Sequence, residues 1–228
     1  MKFSFGIITN GNNDSELSQI VNSIRSQSIE KYEILVIGNS KIKGDDIKVI
    51  QFNESAKKGW ITKKKNLITE NAKYDNIVYL HDYVILENGW YEGFLKFGDD
   101  WRVCMNVIKN SNGNRFRDWC LWQHDISNII PNIKELAELL LPYDVTDLSK
   151  FMYISGTYWV AKKDIMKEFP LDENLAWGQG EDVEWSKRIR NTYDFSMNPN
   201  SSVKFLKSKQ NTFKVCSEST IEKIRNRK

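Results

Sequence analysis

Histidine and cysteine are scarce: the 228 residues hold two of the first and three of the second. Cys104, Cys120 and Cys216 lie far apart with no Cys-x-x-Cys spacing, and an odd, scattered set argues against a disulfide framework and against a zinc site. The cytoplasm is the expected location. No stretch approaches the roughly 20 apolar residues that span a bilayer, and the short apolar run 3–8 meets TNGNND too early for a signal peptide. Neither sign of charge dominates. The net charge of +3 is a small difference between 33 basic and 30 acidic residues, without the basic stripe of a nucleic-acid binder, so no nucleic-acid partner is expected. Internal repeats and low-complexity linkers are absent too, and 228 residues suit a single domain with a substantial core.

What is present fits a folded globular chain, with 40% hydrophobic and 12% aromatic residues. The first 90 or so residues alternate in period. Residues 3–9 read as a strand. Residues 15–27 read as a helix with Leu17, Ile20, Val21 and Ile24 on one face and Ser15 as N-cap. Strands are expected at 32–38, 47–52 and 77–80, and a helix at 62–72. Strands separated by helices predict an α/β fold: a mostly parallel central sheet flanked by helices. Further on, the pattern predicts a strand at 103–108, a turn at 110–114 and a short helix over 132–141 stopped by Pro142. A strand over 153–161 interrupted by Gly156 and a helix over 182–193 follow. The terminal stretch 201–228 is basic, with Lys204, Lys207, Lys209, Lys214, Lys223, Arg225, Arg227 and Lys228. It reads as a solvated, partly frayed tail, with contact to an anionic membrane surface as the alternative.

Open α/β sheets bind ligands at the carboxyl ends of their strands. Three such ends carry polar pairs: Thr9-Asn10, Asn39-Ser40 and His81-Asp82. A carboxylate at a strand end can hold a divalent cation, and the cation can bridge two phosphates. Against this, Asp82 could cap a turn and His81 could be a packing histidine, and adjacent residues share a ligand only if the strand has turned. In WGQGEDVEWSKRIR, residues 177–190, Gly178 and Gly180 permit close approach to a ligand and lead into Glu181-Asp182 at a helix start. A carboxylate there could deprotonate a hydroxyl. The helix dipole alone would also favour acids in that turn. The lysines of KKGWITKKKN, residues 57–66, could face phosphates or simply be solvated.

Taken in order, these stretches resemble the nucleotide-sugar-dependent glycosyltransferases of the GT-A fold, most closely the inverting family 2. FSFGIITNGNNDSELSQIVNSIRSQSIEKYEILVIGNS is similar to that family's opening. WITKKKNLITENAKYDNIVYLHDYVIL resembles the approach to its Asp-x-Asp signature, and YISGTYWVAKKDIMKEFPLDENLAWGQGEDVEWSKRIR resembles its acceptor segment and Glu-Asp motif. The likeness spans roughly residues 3–195. It implies a nucleotide-sugar-binding half (1–100), an acceptor-binding half (101–200) and the basic tail. Thr9, Asn39, Lys65, Asn66, His81, Asp82 and Gly156 would bind the nucleotide sugar, and Trp177 and Gly178 the acceptor. Asp82, with His81, would hold Mn2+ or Mg2+. Asp182 would be the general base and Glu181 would orient the acceptor. The donor would be a nucleoside-diphosphate sugar, UDP-sugar favoured, and the acceptor a glycan or lipid-linked hydroxyl of the kind used in polysaccharide biosynthesis. Two departures stand out. His81-Asp82-Tyr83 replaces Asp-x-Asp, and only His81 and His124 could serve as the late histidine ligand that members often recruit. WGQGED is also similar to a galactosyltransferase stretch of the same fold. A non-catalytic nucleotide-sugar or carbohydrate-binding module, with Trp60, Trp119, Trp122 or Trp177 stacking on sugars, is the remaining alternative.

Overall fold

The computed structural model describes residues 1–227, so Lys228 lies outside the described residues. Alternation on the first strand, β1 (Phe3–Ile8), explains the layering. All six residues are buried, and successive side chains face opposite ways. Phe3 and Phe5 meet Trp90, at 5.1 and 5.6 Å between ring centroids, on one face. Gly6 meets Ile68 on the other face, so closely that a Cβ would lie 2.2 Å from Ile68 Cγ2. Both faces are therefore covered, as a parallel sheet requires.

The first half runs β1, α1 (Asp14–Arg25), β2 (Tyr32–Ile37), β3 (Ile47–Ile50), α2 (Ile61–Asn71), β4 (Asn76–His81), β5 (Val84–Leu86) and α3 (Trp90–Phe97). The second half continues with β6 (Val103–Lys109), β7 (Cys120–Leu121), α4 (Gln123–Ile126), α5 (Ile133–Leu136), β8 (Glu138–Leu140), β9 (Met152–Tyr153), β10 (Tyr158–Lys162), α6 (Lys163–Glu168), α7 (Glu181–Ile189), β11 (Phe195–Phe205), β12 (Lys214–Val215) and α8 (Glu218–Arg225). The curled central sheet has the order β3-β2-β1-β4-β10-β6-β11-β5. Its β3-β2-β1-β4 portion is parallel, β10 is antiparallel to both neighbours, and β5 is antiparallel to β11. A small sheet, β12-β8-β7-β9, packs beside it. No helix among the described residues is long and apolar enough to cross a membrane.

Four expectations need correction. Asn13, not Ser15, precedes the first helix, and the Ser15 hydroxyl bonds to Glu16 instead. The helix expected over 132–141 is one turn, ended by Ala137 in the left-handed region (φ 54°) and followed by β8, because Leu139 and Leu140 are needed in the apolar core. The strand expected over 153–161 is two strands in different sheets, separated at Gly156. The described part of the basic tail, 201–227, is folded. Lys204 lies in β11, and α8 buries Ile221 and Ile224 while Arg225 pairs with Asp147 at 2.8 Å.

Candidate active site

The parallel register of β1 and β4 aligns Ile8 with His81. The next residues, Thr9 and Asp82, therefore emerge together at the carboxyl end of the sheet. Thr9 Oγ1 donates to Asp82 Oδ2 at 2.8 Å, Asn13 Nδ2 donates to the same oxygen at 2.9 Å, and the Gly11 amide donates to Thr9 Oγ1 at 3.0 Å. Asp82, buried, thus anchors the loop that follows β1. The strand does turn here: the Tyr83 amide donates to the His81 carbonyl at 2.8 Å, closing a three-residue turn.

A cavity of about 640 Å³ opens over this corner, lined by Thr9, Asn10, His81, Asp82, Tyr83, Trp177, Lys207 and Lys209 among others. A second cavity, about 330 Å³, adjoins it and shares His81, Tyr83, Trp177 and Lys209; it adds Phe116, Arg117, Trp122, Tyr153, Gly156, Gly178, Glu181 and Asp182. A larger hollow of about 900 Å³ lies at the opposite, amino-terminal ends of β1 and β4. Arg102 pairs with Asp164 and Lys162 with Asp99 there, and the hollow lies away from the carboxyl strand ends at which open α/β sheets bind ligands.

In the second cavity, Gly180 (φ 74°) turns the chain into α7, whose first turn carries Glu181, Asp182 and Glu184. Acids there are favoured by the positive end of the helix dipole. Asp182 Oδ1 accepts from the Val183 amide and Oδ2 from the Gly156 amide, both at 2.9 Å. Gly156 is held from its other side by the buried Lys65, whose Nζ donates to the Gly156 carbonyl at 2.7 Å and lies 4.5 Å from the Trp159 ring centroid. Burial pushes the Lys65 ammonium down to about 8, partly opposed by Glu181 and Asp182. Burial raises the Glu181 carboxyl, with Lys65 opposing and Asp182 adding to the rise. The two acids therefore differ in their partners: Asp182 is held by two backbone amides, while Glu181 is buried beside the Lys65 ammonium. Trp177, 71% exposed, stands on the rim common to both cavities, its amide bonded to the Gly59 carbonyl at 2.8 Å.

Thr9, His81 and Asp82 are thus brought together in the first cavity, and Gly156, Gly178, Glu181 and Asp182 in the second, with Trp177 between. Three expected donor contacts are not on these walls. Asn39 is exposed beside Gly11. Asn66 spends its amide on Leu171 and Glu173, pinning the segment before α7. Lys65 acts from beneath Gly156. The lysines of 57–66 are mostly tethers. Lys57 holds the carbonyls of Glu173 and Asn174, Lys63 pairs with Glu173, and Lys64 bonds the Thr9 carbonyl and Glu54.

The groups that sequence reasoning missed are Lys207 and Lys209. Their ammoniums lie 3.8 and 4.5 Å from the Tyr83 ring centroid. Lys209 Nζ also donates to Tyr83 Oη at 2.5 Å and to Thr157 Oγ1 at 3.2 Å. Burial, with Lys207, Arg117 and Lys65 nearby, pushes Lys209 down to about 8. The available signal was the buried alternation Val203, Phe205, which extends a strand up to these lysines.

The donors present do not fit a divalent cation. Burial, and then the nearby ammoniums of Lys65, Lys209 and Lys207, hold the His81 imidazole well below its ordinary range; the ring is in the form that ligates metals, but these like charges would oppose a cation beside it. Its Nε2, buried and unpartnered, is a free donor, but a single one. Asp82 already accepts two hydrogen bonds at one oxygen, Glu54 is paired with Lys64, and no cluster of three His, Cys, Asp or Glu side chains exists among the described residues. His124 is exposed against Trp122 and lines neither cavity.

Comparison with solved structures identifies the architecture. GalNAc-T7 with UDP, GalNAc and Mn2+ superposes with a TM-score of 0.65 at 15% identity, over 92% of this chain and 44% of that one. The fold is the GT-A fold. S. aureus TarS superposes at 0.61 and 16% identity over 90% of this chain and 36% of that one. Its 1–349 fragment with UDP gives 0.59 and 15% over 90% and 60%. The chain thus spans about half or less of two of these GT-A neighbours and less than two thirds of the third. No protein-family model and no curated protein matches it.

Proposed function

We propose that the chain is an inverting glycosyltransferase. It moves a sugar from a nucleoside-diphosphate sugar, a UDP-sugar foremost, to a hydroxyl of a glycan or lipid-linked acceptor. The observation that carries this reading is the pair of adjoining cavities: one at the carboxyl ends of β1 and β4, the other floored by Asp182 and Glu181, with Trp177 on their common rim. UDP in the GalNAc-T7 and TarS structures supports uracil as the base. The aromatic lining of the second cavity, Phe116, Trp122 and Tyr153, supports a carbohydrate acceptor.

In this reading the loop fixed by Asp82 receives the nucleotide, with Thr9 nearest the base, and the sugar lies toward Gly156. Asp182 takes the proton from the acceptor hydroxyl as that oxygen attacks the anomeric carbon opposite the departing diphosphate. One displacement inverts the configuration. The hydrogen bonds from the Gly156 and Val183 amides hold the Asp182 side chain in place, aimed into the cavity. Glu181, beside Asp182 in the first turn of α7 and lining the same cavity, orients the acceptor. Residues 1–100 serve the donor and 101–200 the acceptor, within one domain.

Incubation with a panel of nucleoside-diphosphate sugars, following nucleotide release and product anomeric configuration by NMR, tests the reading. It predicts an inverted product, and an Asp182→Asn variant with kcat lowered roughly 10²- to 10⁴-fold. Transfer by Asp182→Asn at the native rate, or a retained configuration, would contradict it.

A further inference from the structure

The first cavity offers its ligand cations on the protein itself. Lys209 spends two of its three N–H groups on Tyr83 and Thr157, leaving one free. The exposed Lys207 lies over the Tyr83 ring and makes no hydrogen bond among the described residues. The positions are built rather than incidental. The Asn110 side chain grips the backbone of Lys209 from both sides, accepting from its amide at 2.9 Å and donating to its carbonyl. Tyr83 and Thr157 then fix the ammonium. Across the cavity, Asp82 is occupied by Thr9 and Asn13.

The geometry points to Lys207 and Lys209 as the groups that hold the diphosphate of the donor and stabilise it as it leaves, in the place where a divalent cation would otherwise act. This inference rests on the glycosyltransferase reading above and adds that the reaction proceeds without added metal. Two ammoniums match the charge that a diphosphate leaving group develops, and the half-buried position of Lys209 strengthens its effect. A divalent cation entering the same corner would meet both lysines as like charges. Asp82, in this account, shapes the nucleotide loop rather than binding metal.

The test is calorimetric titration of UDP into the full-length chain, in EDTA and again with Mn2+. The expected result is the same Kd, within about twofold, under both conditions. Lys207→Met and Lys209→Met should each weaken UDP roughly 10- to 100-fold, the loss of a hydrogen bond to a charged group. Uridine, which lacks the phosphates, should bind all forms equally, and Lys209→Arg should restore most of the UDP affinity. Circular dichroism melts report whether the variants fold, and the arginine variant carries the test if a methionine variant does not. UDP binding that requires Mn2+, or that both methionine variants keep, overturns the inference and leaves the transferase reading standing. Failure of UDP, GDP, CDP and dTDP alike to bind overturns both.

Discussion

The Gly156 amide donates to Asp182 Oδ2 at 2.9 Å, and a Cβ added to Gly156 would fall 2.9 Å from that same oxygen and 3.1 Å from Asp182 Cβ. The absence of a side chain at 156 is therefore what lets the segment between β9 and β10 close onto the start of α7. Lys65 completes the arrangement from the opposite side of the same residue. Three stretches far apart in sequence meet at one glycine.

Gly156→Ala follows from this contact. The methyl group would push the Asp182 carboxylate aside, and a displacement of about 1 Å at a reacting group can cost on the order of 100-fold in rate. Steady-state kinetics should show kcat falling by roughly 10- to 100-fold while UDP affinity stays within about threefold. An unchanged kcat would remove Asp182 from the reaction.

The depressed Lys209 ammonium predicts a pH dependence with a definite sign. The cation binds phosphate, and it is lost as pH rises through about 8 in the free protein. UDP affinity should therefore decline above that pH, and Lys209→Arg, whose guanidinium stays charged, should hold affinity to higher pH. An identical decline in both forms would assign the titration to another group. Folding responds oppositely. A lysine whose folded value lies below its unfolded value of about 10.4 adds stability as pH rises between the two, because the unfolded chain binds more protons there.

Trp177 is the most exposed large apolar side chain and stands between the cavities. Trp177→Ala should raise the acceptor KM by roughly 5- to 30-fold, equivalent to about 1–2 kcal/mol of stacking. Donor hydrolysis in the absence of acceptor should be unaffected. A loss confined to UDP binding would move this residue to the donor side.

Packing between β1 and α2 is equally open to test. Ala at position 6 would place a methyl 2.2, 2.6 and 2.8 Å from three carbons of Ile68, in a layer with no slack. Overpacking of this kind costs about 1–3 kcal/mol, each worth roughly 2–4 °C in a domain of this size. Thermal denaturation of Gly6→Ala at native stability would mean that α2 shifts freely on the sheet.

The parallel half of the fold was readable because β1, β2 and β4 carry near-continuous apolar runs and α1 a clean apolar face. The register that pairs Thr9 with Asp82 follows once β1 and β4 are neighbours. Asp82 and Asp182 were legible as candidates because each ends an apolar or glycine-bounded run. The partners were not. Nothing local to Asn66 signals that Leu171 and Glu173 will claim its amide. Lys207 and Lys209 read as surface charge until the bend after β11 sets them on Tyr83, a residue more than 100 positions earlier. Long-range contacts of this kind leave no period in the sequence. The 132–141 segment was misread because Leu136, Leu139 and Leu140 satisfy a helical spacing, while the burial of Leu139 and Leu140 depends on the small sheet beside β12.

The most direct test of the account is thermal stability of the purified chain with UDP, GDP, CDP or dTDP in turn. The account predicts a raised melting temperature with UDP above the others, lost in a Lys207→Met, Lys209→Met double variant that melts normally without ligand. No stabilisation by any of the four would contradict a nucleotide-sugar site at the carboxyl ends of β1 and β4.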